Sequence, residues 1–109
     1  MQFLFLYRND PNAKPSPNDM QAGYVKWKDW MTKHAKEILD QPPPRSGPKP
    51  NGASAVCKGG AVTDGPYAEG KEIVGGWSFI QCDSLENAIA IAKEVPMFSS
   101  VEIREITSY

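Results

Sequence analysis

The residues with the greatest capacity for chemistry are concentrated in one polar segment, residues 64–76. It contains four glycines, one proline and four charged side chains in thirteen residues, and it lies between two stretches that have the pattern of β-strands. A flexible linker needs no such ordered mixture of turn formers, carboxylates and a lysine. A carboxylate held beside a turn can bind a ligand or transfer a proton. The sequence therefore predicts that any functional site includes part of this segment.

Asp64 is the first candidate in that segment. An aspartate in a turn commonly accepts a hydrogen bond from the N–H two residues later, but Pro66 has no N–H. The carboxylate can then point outward as a catalytic group, or accept from the N–H of Tyr67, itself a predicted ligand-binding residue. The structural alternative is that Asp64 only starts the turn, with Gly65 in a conformation unfavourable for other residues. The remaining charged residues of the segment are predicted to be solvated: Glu69, Lys71 and Glu72.

The last predicted strand, residues 101–106, supplies a second set of candidates. Strand alternation puts Val101 and Ile103 on one face and Glu102 and Arg104 on the other. If the apolar pair meets the helices, the charged pair faces away from them. Glu102 and Arg104 then form an interface ion pair or hold a ligand in a cleft, and Arg8 at the end of the first strand has the same two alternatives.

The single histidine and the two cysteines complete the reactive side chains. His34 falls in the predicted first helix, as an exposed residue or as a proton carrier near neutral pH. Cys57 and Cys82 match no zinc or redox spacing and are predicted to be unbridged. Since the sequence has no ligand cluster, phosphate loop or dinucleotide fingerprint, we expect no metal and no cofactor.

Length and charge exclude several classes of protein. The 109 residues, 1–109, are expected to form one domain with its own core. Twelve basic residues against thirteen acidic ones give no electrostatic footprint for nucleic acid. The longest apolar stretch has only the length of a strand, so no membrane partner is expected. The N-terminus lacks a basic leader and a cleavage site, which predicts a cytoplasmic location.

The first half of the chain predicts a strand, a helix and a loop. Residues 2–7 are aromatic and apolar and end in a turn cluster, which indicates a strand. Ser16 and Pro17 suit the start of a helix over residues 16–39. Its apolar residues recur at steps of three and four and are predicted to be core: Met20, Tyr24, Trp27, Met31, Ala35 and Ile38. Trp30 extends this face, as core or as a ligand-stacking ring. The proline-rich residues 41–52 are predicted to be an exposed loop, with a polyproline peptide ligand as the alternative.

The second half predicts a hairpin, two more strands and a second helix. Residues 53–58 and 61–63 flank two glycines and form the hairpin, which places Asp64 at a strand end. Residues 77–82 form a strand, and Asp83 caps a helix that ends near Val95. The resulting order is that of a ferredoxin-like βαββαβ sandwich of the α+β class, with an extra hairpin and both helices on one sheet face.

The first strand is apolar on both faces. Phe3, Phe5 and Tyr7 point one way, whereas Leu4 and Leu6 point the other. One face can meet the helices, but the second needs a different cover. A second subunit is the predicted cover, so the sequence predicts a homodimer.

Several of these segments resemble the DGPF branch of the YCII-related family. The resemblance rests on residues 64–69 and 71–76 and spans nearly the whole chain. The other matching segments are residues 1–8, residues 20–24 with Trp27 and Trp30, residues 84–88 and residues 100–104. It implies a dimeric α+β barrel, in which two ferredoxin-like subunits pack sheet against sheet.

The resemblance implies two functional classes. Most members are uncharacterised bacterial proteins, some associated with sigma factors, which implies a small-ligand-binding or regulatory protein with a possible sigma-factor-linked partner. An enzymatic role has been proposed for the wider family through a histidine early in the first helix and an aspartate. Here that position falls near Lys26, and His34 lies about two turns later. The alternative function is therefore an acid/base enzyme acting on a small organic anion or carbonyl compound, with Asp64 as proton carrier and Arg8 or Arg104 holding negative charge.

Overall fold

The computed structural model describes residues 1–65 and 72–108. Tyr67 therefore lies outside the described residues, as do Glu69 and Lys71. The described elements, in chain order, are β1 Gln2–Asn9, α1 Pro17–Lys33, β2 Ser46–Pro48, β3 Ser54–Lys58, β4 Ala61–Asp64, β5 Ile73–Gln81, α2 Leu85–Lys93 and β6 Ser100–Ser108. This is the predicted α+β class, with three-residue β2 added within the proline-rich segment.

The six strands form one antiparallel sheet in the order β4-β3-β6-β1-β5, with β2 paired to β6. Since β1 and β3 are both antiparallel to β6, they run parallel to each other with β6 between them. By the same argument, β5 and β6 are parallel with β1 between them. Helix α2 connects β5 to β6 across β1. After α1, residues 37–39 bond to the outer edge of β5, where Ile38 bridges Ile80, so β5 lies between this segment and β1. These are the two interleaved split β-α-β units of the predicted ferredoxin-like fold, with β3 and β4 as the extra hairpin beside β6.

Both helices pack on one face of the sheet. The alternate residues of β1 that point there, Phe3, Phe5 and Tyr7, are buried, as are Val101 and Ile103 of β6. Helix α2 adds Ala88, Ile91 and Ala92 to this apolar core, which also includes Trp30, Ala55, Cys57 and Ile80. The predicted two-faced character of β1 and the predicted orientation of β6 are therefore confirmed.

Helix α1 is oriented by its two tryptophans. Trp30 is buried and its indole N–H donates to the carbonyl of Ile91 at 3.0 Å, while the Trp27 ring stands edge-on to Tyr7 with centroids 5.1 Å apart. Trp30 is thus a core residue. The predicted apolar stripe was wrong for four of its six members, because Met20, Tyr24, Met31 and Ala35 are exposed. The indoles bury the most apolar area and turn their own side of the helix toward the sheet.

The end of α1 also differs from the prediction. The helix ends at Lys33, with His34 as its C-cap, six residues before the predicted Leu39. The following backbone bonds to the edge of β5 instead: Leu39 N–H donates to Phe79 at 2.9 Å, and Gln81 N–H donates to Glu37 at 2.7 Å. Hydrogen bonds to the edge of β5 therefore satisfy the backbone groups that the last predicted helical turns would have paired.

The hairpin and the start of α2 were predicted more accurately than the end of α1, because they depend on local sequence signals. Gly59 and Gly60 both have positive φ, 55° and 83°, as the two-residue turn between β3 and β4 requires. The cap of α2 is Ser84, whose hydroxyl accepts from Asn87 N–H at 3.1 Å, so the predicted Asp83 cap was wrong by one residue.

Both cysteines are free thiols, in agreement with the prediction. Burial is the main cause that raises the pKa of the thiol of Cys57 and of Cys82. A raised pKa keeps both sulfurs in the less reactive thiol form.

Glu105 on β6 binds the proline-rich segment and the residue that follows it through its carboxylate. Its carboxylate accepts from the Ala53 N–H at 3.0 Å and from the Lys49 ammonium at 3.1 Å. The first contact, followed by the second, lowers the pKa of Glu105 below its ordinary value of 4.5. Because the folded pKa is depressed, this stabilisation is present above the unfolded value and is lost as pH falls through the folded one.

We expect Glu105→Gln to reduce the free energy of unfolding by about 1 kcal/mol near pH 7, since the amide still accepts from Ala53 but loses the charge. The difference from the parent protein should shrink as the pH falls below 4.5 and through the lowered pKa of Glu105. Urea unfolding over a series of pH values from neutral to acidic measures it, with Glu86→Gln on the exposed side of α2 as the control. A difference that does not change with pH would contradict this role.

Candidate functional site

The sheet face that the helices leave uncovered is called the open face here. Residues directly opposite on neighbouring strands share a face. The register therefore groups its side chains in three rows across β3, β6, β1 and β5. These rows are Lys58-Ser100-Arg8-Val74, Val56-Glu102-Leu6-Trp77 and Ser54-Arg104-Leu4-Phe79. The open face thus combines apolar side chains toward β5 with charged side chains on β1, β3 and β6.

Arg8 and Glu102 form the tightest ion pair on the open face. Arg8 Nη1 lies 2.6 Å from Glu102 Oε1, and the two side chains are 12% and 4% exposed. Arg104 approaches the other oxygen of the same carboxylate, with Nε 3.9 Å from Oε2, and is 40% exposed. The structure therefore brings three predicted site residues together. The pair predicted between Glu102 and Arg104 is present, but it is looser than the pair with Arg8.

Glu72 joins this group, although it was predicted to be solvated. Its side chain is only 7% exposed. One carboxylate oxygen, Oε1, accepts from the Ser100 hydroxyl at 3.0 Å and lies 3.7 Å from the Lys58 ammonium. The other oxygen, Oε2, is buried without a hydrogen-bond partner in the described part of the chain. Burial by these neighbours, rather than loop solvation, decides the environment of Glu72.

A sequence signal for Glu72 existed in the strand that follows it. β5 begins at Ile73, four residues before the predicted start, and Val74 lies opposite Arg8 on the open face. Alternation then assigns Glu72, two residues before Val74, to the same face. The glycines at 75 and 76 had obscured this start, because glycine is uncommon in strand interiors.

The electrostatics of the open face favour an anion. In the described residues of this cluster, the cations of Arg8, Lys58 and Arg104 outnumber the carboxylates of Glu72 and Glu102 by one. An arginine guanidinium can hold a carboxylate with two parallel hydrogen bonds. The arrangement can therefore bind a small anion while the glutamates fix the position of the cations.

Asp64 lies on the other side of the sheet. It is the last residue of the edge strand β4 and pairs with Ala55, whose side chain belongs to the core face. Asp64 itself is exposed at this edge. Gly65 has a φ of 85°, so the predicted glycine-specific conformation is confirmed. The register thus separates Asp64 from Arg8, Glu102 and Arg104.

His34 is buried, whereas an exposed helix position was its favoured prediction. Its Nε2 lies 3.2 Å from Glu94 Oε1, and its ring centroid lies 5.5 Å from that of Trp30. Lys33, and to a smaller extent His34, lowers the pKa of Glu94. His34 and Glu94 line a cavity of about 430 Å³ beside α2, together with Cys82 and Asn87. His34 is therefore remote from the open face.

A larger cavity, of about 620 Å³, lies beside the first half of α1. Met20, Tyr24 and Met97 give it apolar walls, and Lys14 and Asp19 add charge. It includes no predicted site residue. Arg104 lines a separate polar cavity of about 220 Å³ with Ser54 and Glu105.

Within residues 1–65 and 72–108, no group of three or more histidine, cysteine, aspartate or glutamate side chains is placed to hold a metal ion. In the same residues, neither helix combines the length and the apolar character of a membrane span.

These features define a small α+β sandwich with a charged cluster on its uncovered sheet face. The family model of the YCII-related domain matches residues 1–109, and the chain belongs to this family. No curated protein matches the chain.

Proposed function

We propose that the protein is a homodimer whose two open faces pack against each other and bind a small organic anion in the cleft between them. Trp77 and Val74 support the pairing, because they are 66% and 47% exposed on this face. A monomer would keep this apolar surface in water, and a second copy of the same face would cover it.

The charged cluster of the open face is the observation that supports a small anion as the ligand. Arg8 is held by the buried carboxylate of Glu102, and Arg104 stands at the other oxygen of that carboxylate. Cations already positioned by protein groups lose little conformational freedom when an anion binds. A dimer would remove water from the cluster and strengthen its attraction for the anion.

Light scattering and calorimetry test the two parts of the proposal. A dimer has about 24 kDa, twice the chain mass of 12.0 kDa. Small carboxylates, beginning with propionate, should bind with an affinity that falls as salt is added. A monodisperse monomer at micromolar concentration would exclude the paired faces, and a dimer that binds no small carboxylate would exclude the anion site.

The finer assignments follow from the family resemblance and remain predictions. They are membership of the DGPF branch, a cytoplasmic location and a role beside a sigma-factor-linked regulator. Co-purification of the full chain with candidate sigma factors from a bacterial host tests the partner.

The alternative is an acid/base enzyme with Asp64 as proton carrier, and the exposure of the Asp64 carboxylate at the sheet edge favours it. Asp64→Asn separates the two functions, because the amide keeps the shape but cannot transfer the proton. Since Asp64 and the charged cluster lie on opposite sides of the sheet, we expect anion affinity to change less than about two-fold and the melting temperature to stay the same. Turnover of a carbonyl compound that is lost in a folded Asp64→Asn variant would support the enzyme instead.

A further inference from the structure

We propose that the cavity beside the first half of α1 binds a small aromatic amine. This cavity of about 620 Å³ is lined by α1, the loop after β1 and the loop before β6. Its volume is typical of a site for a small molecule. None of its lining residues belongs to the three rows of the open face. The site is therefore additional to the proposed anion cleft and does not depend on it.

The apolar walls of the cavity favour an aromatic ligand. They come from Met20, Tyr24 and Met97, whose side chains are all exposed. The Tyr24 ring can pack against another ring, and methionine sulfur makes favourable contacts with aromatic edges. A ligand ring would also remove this apolar surface from water.

Met97 is held on the cavity wall by a strained turn. Its φ is 68°, and the Phe98 N–H donates to the Pro96 carbonyl at 2.9 Å. A three-residue turn with this sign of φ is rare and strained. The Phe98 ring stacks on Tyr7 with centroids 5.0 Å apart, which anchors the turn in the core. Backbone strain that the surrounding structure maintains is often found at ligand sites.

Gly23 keeps the cavity open on the side of α1. It lies in the interior of the helix, where glycine is less favourable than alanine. A Cβ added at Gly23 would lie 3.5 Å from Met97 Cγ, an ordinary contact distance. Packing within the single chain therefore does not require glycine at this position. The missing side chain instead leaves room for a ligand beside Met97.

The charge around the cavity favours an amine over a carboxylate. The carboxylates of Asp10 and Asp19 line it with a single ammonium, that of Lys14. None of these three groups forms an ion pair within the part of the chain that the structure describes. The excess negative charge attracts a ligand ammonium, and the exposed Tyr24 ring can add a cation–π contact.

Methionine-methyl NMR on the full chain tests the inference with phenethylamine as the probe. The ε-methyl signals of Met20 and Met97 should shift, because an aromatic ring changes the resonance of a methyl group beside it. The signal of Met31 should stay in place, since Met31 is also exposed on α1 but does not line the cavity. Titration of the shifted signals gives the affinity.

Two further probes test the ligand class. 3-Phenylpropionate replaces the ammonium with a carboxylate and should bind about five-fold more weakly at low salt. Butylamine lacks the ring and should bind about ten-fold more weakly. Following the same methyl signals distinguishes binding in this cavity from binding of a carboxylate at the open face.

Three variants assign the binding to this cavity. Gly23→Leu should weaken phenethylamine binding by about ten-fold or more, because leucine fills the space beside Met97 and still favours a helix. Ala22→Leu, at the exposed position just before it, should keep the parent affinity. Asp10→Asn combined with Asp19→Asn should abolish the preference for phenethylamine over 3-phenylpropionate, because the amides lack the charge.

Several results would overturn the inference. One is that phenethylamine leaves the Met20 and Met97 signals in place, and another is that either comparison probe binds equally well. A folded Gly23→Leu variant with the parent affinity overturns it too. If that variant does not fold, the three probes on the parent protein decide.

Discussion

Trp77→Asp is expected to convert a dimer of about 24 kDa into a monomer of 12.0 kDa. Trp77 is 66% exposed in the single chain and lies opposite Leu6 in the central row of the open face. Tryptophan is enriched among the central interface residues whose truncation weakens association by about 2 kcal/mol or more. The substitution also places a charge where the partner would bury it, which adds a desolvation cost. Sedimentation or light scattering across micromolar concentrations measures the change.

The matched control is Tyr24→Asp. Tyr24 is 57% exposed, also aromatic, and lies on α1 at the opposite side of the sheet. It should leave the dimer intact. Circular dichroism should show that the Trp77→Asp monomer keeps its secondary structure. A Trp77→Asp protein that remains a dimer at low micromolar concentration would contradict pairing through the open face.

Arg8→Met is expected to destabilise the protein by about 3 kcal/mol. The substitution removes the guanidinium that lies 2.6 Å from the Glu102 carboxylate, whose side chain is only 4% exposed. Arg104 at 3.9 Å compensates only in part. The double variant Arg8→Met with Glu102→Leu should recover most of the loss, because it removes the buried carboxylate together with its cation. Urea unfolding at a fixed protomer concentration measures each variant.

Arg104→Met is the control for that pair. Its side chain is 40% exposed and its contact with Glu102 is long, so we expect a loss below about 1 kcal/mol. Equal losses for Arg8→Met and Arg104→Met would show that the two arginines share Glu102 equally. Failure of the double variant to recover stability would show that the loss comes from the packing of the Arg8 stem.

Much of the fold could be predicted from local patterns. The two faces of β1 and the orientation of Glu102 and Arg104 on β6 follow from the period of two in a strand. The start of α1 at Ser16 and the turn at Gly59 and Gly60 depend on short-range chemistry. These features were predicted correctly because each depends on residues close together in the chain.

The candidate site was predicted only in part. Arg8, Glu102 and Arg104 were named as site residues, and the sheet register brings them together. Asp64 was named for the same site, but its pairing with Ala55 puts it on the other side of the sheet. No local pattern could show this, because the face of an edge strand depends on its register with a partner distant in sequence.

The sequence by itself determined the α+β class, the order of the elements other than β2 and the charged alternation of the last strand, since these arise from local periodicity and turn chemistry. The tertiary structure alone decided which helix side is core, where α1 ends and which charges are buried. The side of α1 that carries the indole rings packs on the sheet, in place of the predicted apolar stripe. The backbone after α1 forms hydrogen bonds with the edge of β5 and does not continue the helix. Glu72 and His34 were both predicted as exposed and are both enclosed by distant residues. Burial depends on the neighbours that folding assembles, and sequence spacing does not record them.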